Sequence, residues 1–154
     1  MSEQLTIREA VASDAKLLLE FLARASKQSD FIEYKDLENV SITDEETSLD
    51  LISESDFDEI FVAVFDDTIV GFCRLEKRSD AESEYGIVVE KDFWNNNIAS
   101  YLTEEAIDWA RHAPIEKISL EVYKNNPVAI HLYEKFGFKT ELEKDKTLIM
   151  KRMA

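Results

Sequence analysis

The sequence predicts one mixed α/β domain over residues 1–154, with a central sheet of about six to seven strands flanked by about four helices. Three observations carry this expectation. Strand-like and helix-like stretches alternate along the chain. No Pro/Gly/Ser-rich tract, low-complexity run or internal repeat divides it. The 45% apolar content of 154 residues is enough to build a single core.

Leu5 to Arg8 alternates apolar and polar residues as a short strand does, and Ser13 then precedes Leu17, Leu18, Phe21 and Leu22 at helical spacing. After a polar connection, Thr43 with Glu46 three positions on forms a capping-box pattern, and Leu49 and Ile52 give the following helix an apolar edge. Phe61 to Phe65 and Thr68 to Glu76 flank Asp66-Asp67, which reads as a hairpin without the favoured turn glycine. Ser83 to Val89 is a further strand. Ile98, Tyr101, Leu102, Ala106 and Trp109 then line one side of a long helix, and Ile115 to Tyr123 returns as a strand. Asn126-Pro127 matches a helix cap with proline at the first helical position, Ala129, Leu132, Tyr133 and Phe136 recur at helical spacing, and Gly137 stands where a left-handed terminator belongs. Phe138 to Leu142 and Thr147 to Met153 close the chain as a hairpin.

Composition narrows the function classes. The longest apolar runs are broken by Asp66 and Asp67 and fall short of the roughly 20 residues a membrane span needs, and Glu3, Gln4 and Glu9 spoil a signal-peptide layout. The expectation is a cytoplasmic protein with no membrane partner. A net charge of -15 argues against a nucleic-acid partner, because phosphate binding depends on Lys and Arg displacing counterions. One cysteine, Cys73, and two histidines, His112 and His131, make a Cys/His metal site improbable, so no metal is expected. No Ser, His and acid trio falls in a recognisable elbow, Cys73 sits in an apolar strand as an inert thiol would, and His131 reads as a helix-surface residue. Eleven carboxylates against Lys35 alone between Gln28 and Asp58 form either a solubilising face or a region that attracts cations.

The most informative stretch runs from Ile87-Val88-Val89 through Phe93-Trp94 to Asn95-Asn96-Asn97-Ile98-Ala99-Ser100. It is a strand, a tight turn and a helix start, where unpaired amides and the helix dipole favour pyrophosphate and small side chains allow close approach. This stretch resembles the coenzyme A site of the GNAT superfamily of N-acetyltransferases, whose pattern is Gln/Arg-x-x-Gly-x-Gly/Ala. Trp94 takes the first place and Ala99 the last, while Asn97 replaces the central glycine. Asparagine tolerates positive φ better than most residues. Downstream, Asn126, Ala129, Leu132-Tyr133 and Gly137-Phe138 are similar to the family's Asn-x-x-Ala-x-x-Leu-Tyr-x-x-x-Gly-Phe ending. The resemblance covers nearly the whole chain.

The resemblance implies a GNAT-like fold and transfer of an acetyl group from acetyl-CoA, a cosubstrate, to an amine of a small molecule or peptide by direct attack in a ternary complex. The cofactor-binding residues it implies are Ile87, Val88, Val89, Asn95, Asn96, Asn97, Ile98, Ala99, Ser100 and Asn126, with the Val89 amide as oxyanion donor. Tyr133 corresponds to the family tyrosine that protonates the departing thiolate, and Glu121, or else Glu84, to the general base. By the same resemblance the early helices border the acceptor, so a cationic amine is the expected partner. Asn97 also motivates an alternative, an acyl-CoA-binding sensor or partner module without turnover. The sequence leaves oligomeric state open, a homodimer included.

Overall fold

The computed structural model describes residues 5–27, 40–94 and 96–154. Asn95 and the part of the acidic segment from 28 to 39, both singled out from sequence, lie outside the described residues. The described residues form seven strands and four helices. In chain order these are β1 (Leu5–Glu9), α1 (Ala15–Ala25), α2 (Ile42–Ser53), β2 (Glu59–Phe65), β3 (Thr68–Ser79), β4 (Glu82–Val89), α3 (Ile98–Arg111), β5 (Lys117–Tyr123), α4 (Pro127–Lys135), β6 (Lys139–Glu143) and β7 (Thr147–Met153).

One sheet runs in the order β1-β2-β3-β4-β5-β7-β6, antiparallel throughout except for the parallel pair β4 and β5. The hairpin between β2 and β3 turns on Asp66 and Asp67, at φ 48° and 62°. Two consecutive positive φ values are what a tight two-residue hairpin requires, and aspartate reaches them without glycine. Because strand side chains alternate between faces, the sheet carries two cores. Leu18, Phe21 and Leu22 of α1 and Leu49 of α2 pack with Val62, Phe72 and Val88 on one face. Leu102 and Ala106 of α3 and Tyr133 of α4 pack with Cys73, Tyr85, Leu120 and Met150 on the other.

Three local expectations change. Ser13 lies in a 3-10 turn, Ala12–Asp14, that precedes α1. The cap of α2 is Ser41, whose hydroxyl accepts the Asp44 N–H at 3.0 Å, so Thr43 lies inside the first turn. The buried stripe of α3 is Ile98, Leu102, Ala106 and Ala110 with Thr103 and Ile107 beside it, leaving Tyr101 exposed. Thr103 belongs to the core because its hydroxyl is satisfied there, donating to Ala99 O at 2.7 Å and meeting the Tyr85 hydroxyl at 2.8 Å. A search for apolar periodicity passes over such a residue.

The start of α3 is seated on β3 at Gly71. A Cβ there would come within 3.2 Å of Leu102 Cδ1 and 3.3 Å of Ile98 Cγ2. The bare backbone thus lets the first turn of α3 lie against the sheet beside the end of β4.

Candidate functional site

The two parallel strands pair only briefly. Glu82, Ser83 and Glu84 of β4 face Lys117, Ile118 and Ser119 of β5, and beyond that point no pairing joins the strands among the described residues. Yet β4 stays with β3 as far as Val89, and β5 stays with β7 as far as Tyr123. The sheet therefore opens between β4 and β5.

Ladder geometry says which groups face this opening. In an antiparallel pair, hydrogen-bonded and non-hydrogen-bonded residue pairs alternate, and each residue turns its N–H and C=O to the same side. Glu90 donates to Val70 O at 2.8 Å, and the register then makes Val88 with Phe72 and Gly86 with Arg74 the bonded pairs. Ile87 and Val89 consequently turn their peptide groups away from β3, into the opening. Val88 gives its backbone to β3 and its side chain to the α1/α2 core, so the structure does not bring it to the opening as it does its neighbours.

At the mouth stands the start of α3. Asn97 precedes the helix at φ 64°, ψ 9°, and its side chain makes no capping bond. The first intrahelical bond runs from Tyr101 N–H to Asn97 O at 3.0 Å. The amides of Ile98, Ala99 and Ser100 thus have no partner from the helix itself. The Ile98 side chain is buried, so only its backbone is on offer, and Asn96 is exposed beside it. The start of α4 is the opposite case. The Asn126 carboxamide oxygen accepts the Ala129 N–H at 3.4 Å, and Pro127 has no N–H to satisfy.

Tyr133 projects from α4 and is 7% exposed. Its ring meets Tyr85, the first β4 residue past the paired stretch, edge-on at 6.4 Å, and Phe138 at 5.9 Å. The phenol therefore stands near the apex of the opening, on the α3/α4 face. Burial raises its pKa, with the nearby Cys73 adding to the effect, so it stays protonated across the physiological range. Cys73 is buried, donates to Leu102 O at 3.5 Å, and has its thiol pushed up to about 12 by burial. It is a thiol and not a nucleophile.

The two glutamates lie on the other face. Strand alternation puts Glu84 on the side of Val88, and puts Glu121 opposite to the buried Leu120 and Val122. Glu84 is bound to Arg78, with Nε to Oε2 at 3.0 Å. Glu121 accepts the Thr147 hydroxyl at 2.6 Å and faces Lys144 Nζ at 3.4 Å. The Thr147 bond, helped by Lys144, lowers its pKa and holds it ionised. The structure thus brings Tyr133 to one side of the opening and both carboxylates to the other.

Sequence reasoning missed the opening itself, because pairing between strands distant in sequence has no local signal. It also missed the bond from Trp94 Nε1 to Val89 O at 2.8 Å. On the α1/α2 face it missed a pocket of about 460 Å³ whose walls include Leu18, Ile52, Ile60, Phe72 and Glu45. Burial raises the Glu45 pKa. No three His, Cys, Asp or Glu side chains come together as a metal site among the described residues. No helix among them is long and apolar enough to cross a membrane.

The family model described as acetyltransferase (GNAT) family matches residues 18–138. Among curated proteins, the L-amino acid N-acetyltransferase AaaT of Escherichia coli K12 is 32% identical over an alignment of 88 residues that covers 52% of this chain and 52% of that one. The aligned stretch therefore spans about half the length of that relative. Among solved structures, an acetyltransferase of the GNAT family from Streptococcus pneumoniae superposes with a TM-score of 0.89 at 30% identity, covering 98% of this chain and 100% of that one. The PaiA N-acetyltransferase from Thermoplasma acidophilum, in complex with coenzyme A, gives 0.80 at 21% identity over 98% and 99%.

Proposed function

This chain belongs to the acetyltransferase (GNAT) family, and on that premise we propose that it is an N-acetyltransferase moving an acetyl group from acetyl-CoA to an amine by direct attack in a ternary complex. The observation that carries the reading is the opening between β4 and β5, with the uncapped start of α3 at its mouth and proton-handling side chains on both faces.

The residues fit the cosubstrate. The amides of Ile98, Ala99 and Ser100 and the positive end of α3 hold pyrophosphate, and Asn97 already has the left-handed backbone that the family's glycine supplies. The Val89 N–H, turned into the opening, donates to the acetyl oxygen as negative charge develops on it. The amine arrives from the α1/α2 face as an ammonium. Glu121, ahead of Glu84, takes its proton through water; the Thr147 bond that keeps this carboxylate ionised also weakens it as a base, so it relays the proton onward to solvent. As the new C–N bond forms and the C–S bond breaks, Tyr133 gives its proton to the thiolate from the opposite face, and the second proton, which the nitrogen sheds on becoming an amide, passes through water to restore the Tyr133 phenol.

The acceptor is an amine with an apolar body and a cationic head. Leu18, Ile52, Ile60 and Phe72 receive the body; of the charged groups in the same wall, Arg74 is paired with Glu76 and Lys77 stands beside Asp58, and the desolvated Glu45 carboxylate meets the ammonium. The relative named as an L-amino acid N-acetyltransferase makes amino acids one arm of the test. The experiment is an acetyl-transfer screen by mass spectrometry over polyamines, aminoglycosides, amino acids and peptide N-termini, with free thiol followed in parallel. Acetylation of a cationic member with stoichiometric thiol release is expected. Coenzyme A binding with no thiol release for any amine establishes the non-catalytic binding module instead.

A further inference from the structure

At its last residue β4 offers the opening a donor and an acceptor side by side, the N–H and the C=O of Val89. The acceptor is taken. Trp94 Nε1–H donates to Val89 O at 2.8 Å, reaching back across the 3-10 turn Lys91–Phe93. Two neighbours fix that turn: the Trp94 backbone N–H donates to Lys91 O at 3.1 Å, and the Phe93 ring packs against Phe65 at 5.4 Å. Trp94 is 45% exposed. Core burial does not hold so open a ring, so its orientation rests on the bond to Val89.

That bond changes what the strand edge can recognise. The arm of coenzyme A between pyrophosphate and sulfur carries two secondary amides, each with an N–H that seeks a carbonyl. An edge presenting both the Ile87 and the Val89 carbonyls accepts such an arm in two registers. With the Val89 carbonyl already accepting the indole N–H, a second donor there would share a weakened acceptor and crowd the ring, so the arm pairs at Ile87, and the Val89 N–H is left for the thioester oxygen. We propose that Trp94 is a positioning residue for the thioester, removing the second register by holding the Val89 carbonyl. This rests on the coenzyme A site proposed above, and Trp94 acts through Val89 without touching the reacting atoms.

The test compares Trp94→Phe, which keeps a ring and loses the donor, with Trp94→His, which keeps a ring N–H. Calorimetry gives coenzyme A affinity, and turnover is measured with the best amine from the screen. In Trp94→Phe the turnover number is expected to fall about tenfold, the scale of one lost hydrogen bond, while affinity stays within about threefold, and Trp94→His recovers part of the loss. A parallel loss of affinity and turnover, or no change in either, overturns the proposal. A second measurement needs no position-94 variant. In the wild-type protein the Trp94 indole N–H resonance, told from that of Trp109 with Trp109→Phe, should persist at saturating coenzyme A. Its disappearance means that the ligand displaces the indole, and the proposal fails. If wild-type protein binds no coenzyme A, the site assignment fails first, an outcome distinct from binding with a displaced indole.

Discussion

Two helices of this chain start on asparagine, and they do opposite things with it. Asn126 closes the start of α4, its carboxamide taking the Ala129 N–H. The far end of α4 is closed as well. The Phe138 and Gly137 amides return to Tyr133 O and Glu134 O, both at 3.0 Å, with Gly137 at φ 88° and the Phe138 ring against that of Tyr133. Asn97 also precedes a helix, but it takes the left-handed conformation and leaves the first-turn amides of α3 uncapped. A helix end that serves the fold is satisfied by its own residues, whereas one that serves a ligand is left open. In the function proposed above, the closed helix fixes the acid and the open one receives the anion.

The largest effect tests the closed helix. Tyr133→Phe keeps the ring contacts to Tyr85 and Phe138 and removes the proton donor, so coenzyme A affinity by calorimetry should hold while turnover drops roughly 100- to 10,000-fold. Unchanged turnover would mean that α4 is closed only to pack, and the contrast with α3 would lose its functional half.

A second test asks whether a buried carboxyl with a perturbed pKa marks a site wherever it occurs. Glu59 opens β2 at 5% exposure, and its carboxylate accepts the Ile60 N–H at 2.9 Å. Burial, with Glu9 adding to it, pushes its pKa up to about 7 despite that bond. A folded pKa above the unfolded value near 4.5 means that this carboxyl stabilises fully below about pH 4.5 and that the contribution is lost as pH rises through about 7. Unfolding free energy by urea should therefore fall between those pH values by up to ~3 kcal/mol relative to Glu59→Gln. Coenzyme A affinity should not change in that variant. If it does, Glu59 is coupled to the opening and a perturbed buried carboxyl is a general marker.

How far the contrast was legible in the sequence differs between its halves. The ends of α4 could be read because Asn126, Pro127 and Gly137 act on neighbours three or four positions away. The left-handed place of Asn97 could be read through the family pattern, and the Asp66-Asp67 hairpin through the two runs it joins. The opening between β4 and β5 could not, since Glu84 meets Ser119 across thirty-odd residues of chain. Nor could the partners of Glu121, since Thr147 reaches it only through the β5 and β7 register. Residues whose roles are fixed within one helical turn were visible, and those fixed by strand pairing were not.

A third test separates what is good for α3 from what is good for its ligand. Ser100→Glu adds a carboxylate to the first turn, where the helix dipole favours negative charge by about 0.3–1 kcal/mol. The same carboxylate repels pyrophosphate. Melting temperature should hold or rise slightly while coenzyme A affinity falls about tenfold, and the loss should shrink as salt screens it. Affinity that ignores the change places the anion elsewhere than the start of α3.

The smallest effects probe the two asparagines themselves. Asn126→Ala removes a cap and should cost about 1 kcal/mol in urea unfolding, with coenzyme A affinity nearly unchanged because the open amides belong to α3. Asn97→Gly relieves a side chain at φ 64° but also gives the unfolded chain more freedom, so the two terms largely offset and stability should move by only a few tenths of a kcal/mol. Its affinity should rise slightly, since the same left-handed turn is reached without a Cβ beside the ligand. The pair is most informative through its cross terms. A loss of affinity in Asn97→Gly would give the Asn97 carboxamide a ligand contact of its own, and the start of α3 would be only partly open. A loss of affinity without a loss of stability in Asn126→Ala would make Asn126 a ligand residue first and a cap second. Either result would replace the division between closed and open helix ends with one asparagine serving both purposes.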